Sequence, residues 1–181
     1  MAEKEGSARL PALLVGRFQP FHKGHLFMVR RILEDFDSII IGIGSAQYSH
    51  APRNPYASSE RQNMIGRALE EEHIHSYDII AIEDVGTHSK WVPHVESILP
   101  EFDVVFSNDP LTIRLFREKG YEVRELPLER REEYSGTEVR RRIASGEDWE
   151  QLVPKAVADY IKEIDGIRRI EETNELEGGQ S

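Results

Sequence analysis

Apolar residues in this chain come in short unbroken runs separated by polar stretches with helical spacing. LPALLV (10–15), DSIIIGI (37–43), YDIIAI (77–82) and FDVVF (102–106) each read as a strand buried on both faces, and YEVRE (121–125) as a shorter fifth. Between them, residues 24–34 put Leu26, Val29, Arg30 and Leu33 at helical spacing. Further helices are expected from Ser58 or Ser59 to about 73, and at about 89–99, 110–119, 136–145 and 154–164. Residues 44–57, with Gly, Ser, Pro and Asn, read as a loop. Continuous strands alternating with helices predict a single doubly wound, Rossmann-like α/β domain over residues 9–170. About five parallel strands would carry helices on both faces. Residues 1–8 and 171–181 are expected to be flexible tails. Such sheets bind ligands beyond the carboxyl ends of their strands, where strand order reverses. The loops after Val15, Ile43, Ile82, Phe106 and the fifth strand are therefore the places to search.

Composition narrows the chemistry. At 181 residues, 39% apolar and 31% charged, the chain suits one domain with a real core. The absence of cysteine excludes disulfides, thiolate metal sites and a cysteine nucleophile, and fits a cytoplasmic location. The opening MAEKEGSAR has no apolar core of a secretory signal, and a mean hydropathy of -0.52 without a long apolar run predicts no transmembrane span. Twenty-three basic against 33 acidic residues leave a net charge of -10, so nucleic-acid binding through phosphate neutralisation is not expected. A phosphate ligand has to meet a local basic site that works against the global field. Arg130, Arg131, Arg140, Arg141 and Arg142 form such a cluster.

The first strand runs into GRFQPFHKGH (16–25). Gly16 allows the backbone to turn off the strand, and Pro20 stiffens the loop. His22 and His25, three apart at a helix start, can face the same side, and Gly24 leaves room for a ligand at the backbone. Helix N-terminal amides favour an anion there, with Arg17 and Lys23 adding charge. The plainer alternative makes His22 a helix cap and His25 a half-buried surface histidine. A second anion site is expected in YSGTEVRRR (134–142), where Ser135 and Glu138 form a capping box. The amides at Gly136 and beyond, the Ser135 and Thr137 hydroxyls, and Arg140 one turn on can hold phosphate. Three arginines near a helix start oppose the dipole, a cost that an anionic ligand offsets. The alternative here is a capped helix with a solvated arginine face. Neither a P-loop nor a full dinucleotide glycine pattern is present, since GIGSAQ lacks a third glycine.

These two motifs together resemble the nucleotidyltransferases that carry His-x-Gly-His and a second Ser/Thr-x-x-Arg motif. SAQYSH (45–50), the helix around Trp91, FSNDPL (106–111) and VPKAVADYIKEIDGI (153–167) narrow this. From about residue 9 to 170 the chain is similar to the archaeal type of nicotinamide-nucleotide adenylyltransferase. The resemblance implies that ATP and nicotinamide mononucleotide (NMN) give NAD and pyrophosphate, with Mg²⁺. The sequence shows no tight carboxylate cluster and Mg²⁺ commonly rides on substrate phosphates, so no protein metal ligand is expected. The resemblance implies contacts from His22 and His25 to the ATP phosphates, and from Ser135, Thr137 and Arg140 to the β- and γ-phosphates. Arg17 and Arg53 match phosphate-contacting positions, and Trp91 matches the residue stacked on the nicotinamide ring. It also implies a homo-oligomer, often a hexamer. The chain departs from the pattern in carrying His88, where asparagine is expected three before the tryptophan.

His22, His25 and Arg140 are thus the expected catalytic residues. Gly16, Arg17, Lys23, Gly24, Arg131, Ser135, Gly136 and Thr137 are the expected ATP and phosphate set, and Ser45, Arg53, Asp84 and Trp91 the expected NMN set. An attacking phosphate is already anionic, so no general base is required; the work is positioning and electrostatic stabilisation. Trp91 shares a helical stripe with Val95, Ile98 and Leu99, so it fits a core role as well as stacking on a pyridinium cation. Asp84 fits a loop or cap role equally well, and Arg53 a solvated one. Two other readings stay open. One is the same transfer onto phosphopantetheine, FMN or a phosphorylated alcohol; the other is a nucleotide-binding regulator without turnover.

Overall fold

The computed structural model describes residues 9–128 and 130–178. The apolar runs form five parallel strands: β1 (Ala12–Gly16), β2 (Ile39–Ile43), β3 (Tyr77–Ala81), β4 (Val105–Phe106) and β5 (Val123–Arg124). Their order is β3-β2-β1-β4-β5. The chain winds outward in one direction from β1 to β3, then crosses back to place β4 on the other side of β1. The reversal falls between β1 and β4, and that is where the strand ends part to leave a crevice.

Side chains alternate across the sheet, which explains why the runs are apolar throughout. Leu14, Ile39, Ile41 and Phe106 point into one core layer, and Leu13, Ile40, Val105 and Val123 into the other. The first layer is closed by α1 (Lys23–Asp35), α2 (Ser58–Glu71), α5 (Gly136–Ser145) and α6 (Lys155–Glu163), through residues such as Val29, Ile65, Val139 and Ile161. The second is closed by α3 (His88–Ile98) and α4 (Pro110–Glu118), through Val95 and Phe116. Helices therefore cover both faces, as the pattern predicts.

The ladders of β4 and β5 are shorter than the apolar runs around them. Residues 103–104 still bond to the first strand region, with Asp103 N–H donating to the Pro11 carbonyl and Leu13 N–H to that of Val104, but pairing with β5 starts only at Val105. At the carboxyl end, the tail expected at 171–181 is instead helical through Gly178. Helix α7 (Gly166–Gly178) buries Ile170 and Thr173. Asp165, at φ 58, makes the turn between helices, and Gly166 is needed because a Cβ there would lie 2.9 Å from the Tyr56 ring. Arg169 then ties α7 to Glu60 at 2.5 Å. Residues 1–8 and 179–181, the rest of the expected tails, lie outside the described residues.

Candidate active site

A cleft of about 590 Å³ opens beyond the carboxyl ends of the strands at the reversal point. Its wall includes Gly16, Arg17, His22 and His25 after β1, Ser45 after β2, Asp84 and Trp91 after β3, and Arg131, Ser135 and Gly136 after β5. All five loops singled out from the sequence thus contribute to or flank one cavity, whose size suits a nucleotide.

The two histidines form the start of α1. His22 is the N-cap residue, in extended conformation, and its Nδ1 accepts the Gly24 N–H at 3.1 Å. The His22 N–H in turn donates to Nδ1 of His25 at 3.2 Å, so the pair makes a capping box from two imidazoles. The rings stack 3.6 Å apart at 26°, and Phe18 and Phe21 pack against His25. Capping and a role in the cleft are therefore the same arrangement. A ring whose Nδ1 lone pair accepts a backbone N–H and which stays neutral carries its proton on Nε2. Both rings thus present a fixed Nε2–H donor. Burial, with the charge of Arg140 adding to it, lowers the pKa of His22 to about 3. Burial also lowers that of His25, with His22 the lesser cause.

This has a consequence for stability. The unfolded chain protonates histidine near pH 6.5, whereas the folded chain resists it. Below pH 6.5 the unfolded state therefore binds more protons, so stability is complete above that pH and falls as pH drops towards 3. The urea midpoint at pH 4.5 is expected to lie below that at pH 7.5, and His22→Asn, which removes one of these groups, to lose less between the two. Equal losses in both proteins would exclude this account.

Gly24 and Gly136 have tighter reasons than ligand access. A Cβ on Gly24 would sit 2.9 Å from the His22 ring and 3.3 Å from the Tyr134 carbonyl. One on Gly136 would sit 2.9 Å from Nη1 of Arg140 and 3.2 Å from the Gln19 carbonyl. Gly16 has a similar role, since a Cβ there would lie 2.9 Å from the Phe18 ring.

Helix α5 starts as expected at Ser135, whose Oγ accepts the Glu138 N–H at 3.1 Å. The reciprocal half of the capping box does not form. Glu138 turns to Arg141 and Arg142 at 2.9 and 2.8 Å, and these two guanidinium groups pull its carboxyl down to about 2. Arg141 also meets Glu147, and Arg142 meets Glu133. The triple arginine is thus not one phosphate-binding face: carboxylates of the same region compensate two of its members. Arg140 alone turns inward, donating from Nη1 to the Gln19 carbonyl at 2.7 Å and so joining α5 to the loop before α1. Burial, with Arg17 and Arg53 adding repulsion, lowers its pKa to about 10, which places these three cations near one another.

At the other end of the cleft the Asp84 carboxylate accepts a hydrogen bond from Ser45 Oγ at 2.7 Å. The Gln47 amide clamps the Asp84 backbone, donating to its carbonyl and accepting its N–H, each at 3.0 Å. Trp91 packs edge-on against Phe116 at 5.6 Å and also lines the cleft.

Lys23, Gly24, Arg53, Thr137 and Arg140 lie outside the cleft wall itself. Gly24 shapes the His22 cap, Arg140 reaches the site through Gln19, and Lys23, Arg53 and Thr137 are exposed. Missed from the sequence are Gln47, Gln19 and Asn108. The Gln19 amide pairs with both backbone groups of Tyr56. That of Asn108 pairs with both of Leu126 and so extends the β4–β5 edge, while Arg131 donates to the Asn108 carbonyl at 3.3 Å. An amide used as a substitute peptide leaves no spacing signal.

Charge is distributed with a purpose. Arg17, Arg53, Arg61, Arg131 and Arg140 have no carboxylate partner among the described residues, whereas most other arginines do. Of these, Arg17 and Arg131 line the cleft and Arg140 stands near Arg17, which suits an anion, whereas Arg9, also without a carboxylate among the described residues, packs over Phe36 outside it. Among the described residues no three His, Asp or Glu side chains gather as a metal site. Asp109 is occupied in capping α4, and Asp84 is held by Ser45.

The family profile of cytidylyltransferase-like proteins matches residues 13–142. A nicotinamide-nucleotide adenylyltransferase from Thermoplasma volcanium is 58% identical over 159 residues, covering 88% of this chain and 89% of its own. The chain belongs to the nicotinamide-nucleotide adenylyltransferases of the cytidylyltransferase-like family. Another such adenylyltransferase, from Methanosarcina acetivorans, is 54% identical, covering 88% and 91%. The fold of this adenylyltransferase also matches a crystal structure from Francisella tularensis, a bifunctional NMN adenylyltransferase/ADP ribose pyrophosphatase complexed with AMP and a Mn ion. The TM-score is 0.73 at 23% identity, over 92% of this chain and 53% of that one. The present chain thus spans about half of that structure. Among its described residues no helix is long and apolar enough to cross a membrane.

Proposed function

We propose that this protein transfers the adenylyl group of ATP to the phosphate of NMN, giving NAD and pyrophosphate. The observation that carries the reading is the pair of neutral imidazoles, tautomers fixed by helix α1, facing the same cleft as the start of α5. A phosphate oxygen of NMN attacks the α-phosphorus in line. As the new P–O bond forms, the bond to the bridging α–β oxygen breaks, and its electron pair leaves with pyrophosphate. Nε2–H of His22 and His25 stabilises charge on the phosphates without giving up a proton. Arg140 and the first amides of α5 hold the leaving pyrophosphate, with Arg17 and Arg131 beside them. Asp84, held by Ser45, and Trp91 suit a pyridinium ring, and Arg53 the acceptor phosphate.

Mg²⁺ bound with ATP would offset repulsion between the two anionic substrates. Resemblance to the archaeal adenylyltransferases supports a homo-oligomer, hexameric in form, working in the cytoplasm. Purified protein with ATP, Mg²⁺ and NMN is expected to yield NAD and pyrophosphate in equal amounts, and little product with phosphopantetheine or FMN phosphate acceptors. ATP binding without product from any acceptor would replace the reading with that of a nucleotide-binding regulator.

A further inference from the structure

The largest fully buried side chain of the described residues is an arginine, Arg61, at 0% exposure on the first turn of α2. Among the described residues it meets no carboxylate; Glu60 beside it is taken by Arg169. Its guanidinium is satisfied by backbone carbonyls alone. Nη1 donates to those of Arg17 and Gly44, both at 2.9 Å, Nη2 to that of Ser45 at 3.2 Å and to that of Tyr48 at 3.5 Å, and Nε to that of Ala57 at 3.4 Å. A buried cation without a counter-charge persists only where its surroundings require it.

The positions of these carbonyls supply the requirement. The residues that follow Arg17 and Gly44 are Phe18 and Ser45, at φ 53 and φ 49. Neither is glycine, and both adopt the left-handed conformation that a side chain disfavours. Nη1 grips the peptide group immediately before each of them. Both turns leave adjacent strand ends, where the Gly44 N–H also donates to the Gly16 carbonyl at 2.8 Å.

We propose that Arg61 is a positioning residue, which locks the two strained turns after β1 and β2 into the shape that presents Ser45, and through it Asp84, to the acceptor end of the cleft. It touches no group of α5 and neither catalytic histidine, and it holds three carbonyls of the loop after β2 (Gly44, Ser45 and Tyr48) against one of the turn after β1 (Arg17), so the larger part of its influence falls on the acceptor end. Its own charge, fixed beside Arg17, adds to the positive field of the site at no cost in side-chain ordering when substrate binds. Planarity matters here, since one guanidinium reaches five carbonyls where a lysine ammonium reaches at most three.

The kinetic part of this inference rests on the function proposed above, so the test carries a second arm that needs no activity. Arg61→Lys, which keeps the charge, is expected to raise KM for NMN about tenfold more than KM for ATP. A merely structural role would lower the active fraction and leave both KM values alone. In the second arm, thermal unfolding is compared for Arg61→Lys in the natural and the Ser45→Gly backgrounds. Glycine relaxes the left-handed turn, so the loss of Tm caused by Arg61→Lys is expected to be smaller in the glycine background. Should Arg61→Lys alone fail to fold, the double variant must fold. Unchanged or equally raised KM values, equal Tm losses in the two backgrounds, or failure of the double variant to fold would each overturn the proposal. Were the unmodified protein unable to make NAD from NMN, the reading of its function would fall, and the unfolding comparison alone would decide the role of Arg61.

Discussion

His22→Asn is expected to lower turnover by roughly 10²–10³-fold while leaving the protein nearly as stable at neutral pH as before. The two halves of this result come from two atoms of one ring. Nδ1 caps α1 by accepting the Gly24 N–H, and asparagine, among the best N-cap residues, places an oxygen where that nitrogen lies. Nε2 has no counterpart in asparagine, so the donor to the phosphates is lost. Alanine at the same position loses both and is expected to cost about 1 kcal/mol of stability in addition, from the missing cap. Steady-state kinetics with chemical denaturation of the three proteins checks the separation. Full activity in His22→Asn would show that the ring only caps the helix. Because burial holds both rings well below the ordinary histidine range, the pH profile of kcat/KM, which reports the free enzyme, is expected to lack a limb near 6.5 from either of them.

Much of this site was legible in one dimension because its physics is local. A strand buried on both faces must be apolar at every position, and IIIGI could hardly be read otherwise. Two histidines three apart at a helix start must share a side. What escaped depends on the third dimension. Arg61 sits in SSERQNMIGR, where a helical arginine normally faces water; only the convergence of the loops after β1 and β2 on α2 makes it internal. Arg140, Arg141 and Arg142 are indistinguishable in composition, yet the helical turn sends one inward and gives the others to Glu138 and its neighbours. The helices expected from the sequence end at about 164. A further helix nevertheless starts at Gly166, where Tyr56 and the Ile161 carbonyl leave no room for a side chain. Gln19 and Asn108 bond to backbone groups 37 and 18 residues away, a relation with no period to detect.

The second large effect belongs to Arg140. It is the one arginine of α5 without a carboxylate among the described residues, and it does two things at once. Nη1 holds the Gln19 carbonyl and so sets the distance between the loop before α1 and the start of α5. Under the proposed function, its remaining donors hold the leaving pyrophosphate. Arg140→Met keeps much of the apolar stem and removes both functions; the expected loss in kcat/KM for ATP is roughly 10³-fold. Arg140→Lys separates them. A single ammonium can stay with Gln19 or reach the phosphates but cannot present a planar fork to both, so about 10²-fold of the loss should remain although the charge is restored. Gly136→Ala supplies the geometric control: its new Cβ would press on Nη1 of Arg140 and on the Gln19 carbonyl without altering any charge. If the spacing of the two turns matters as much as their charge, this alanine lowers kcat/KM for ATP by about 10²-fold, the size of effect that misplacement by about an ångström produces. An Arg140→Lys enzyme with full activity, together with a harmless Gly136→Ala, would reduce Arg140 to one cation among several and leave the histidines to account for catalysis.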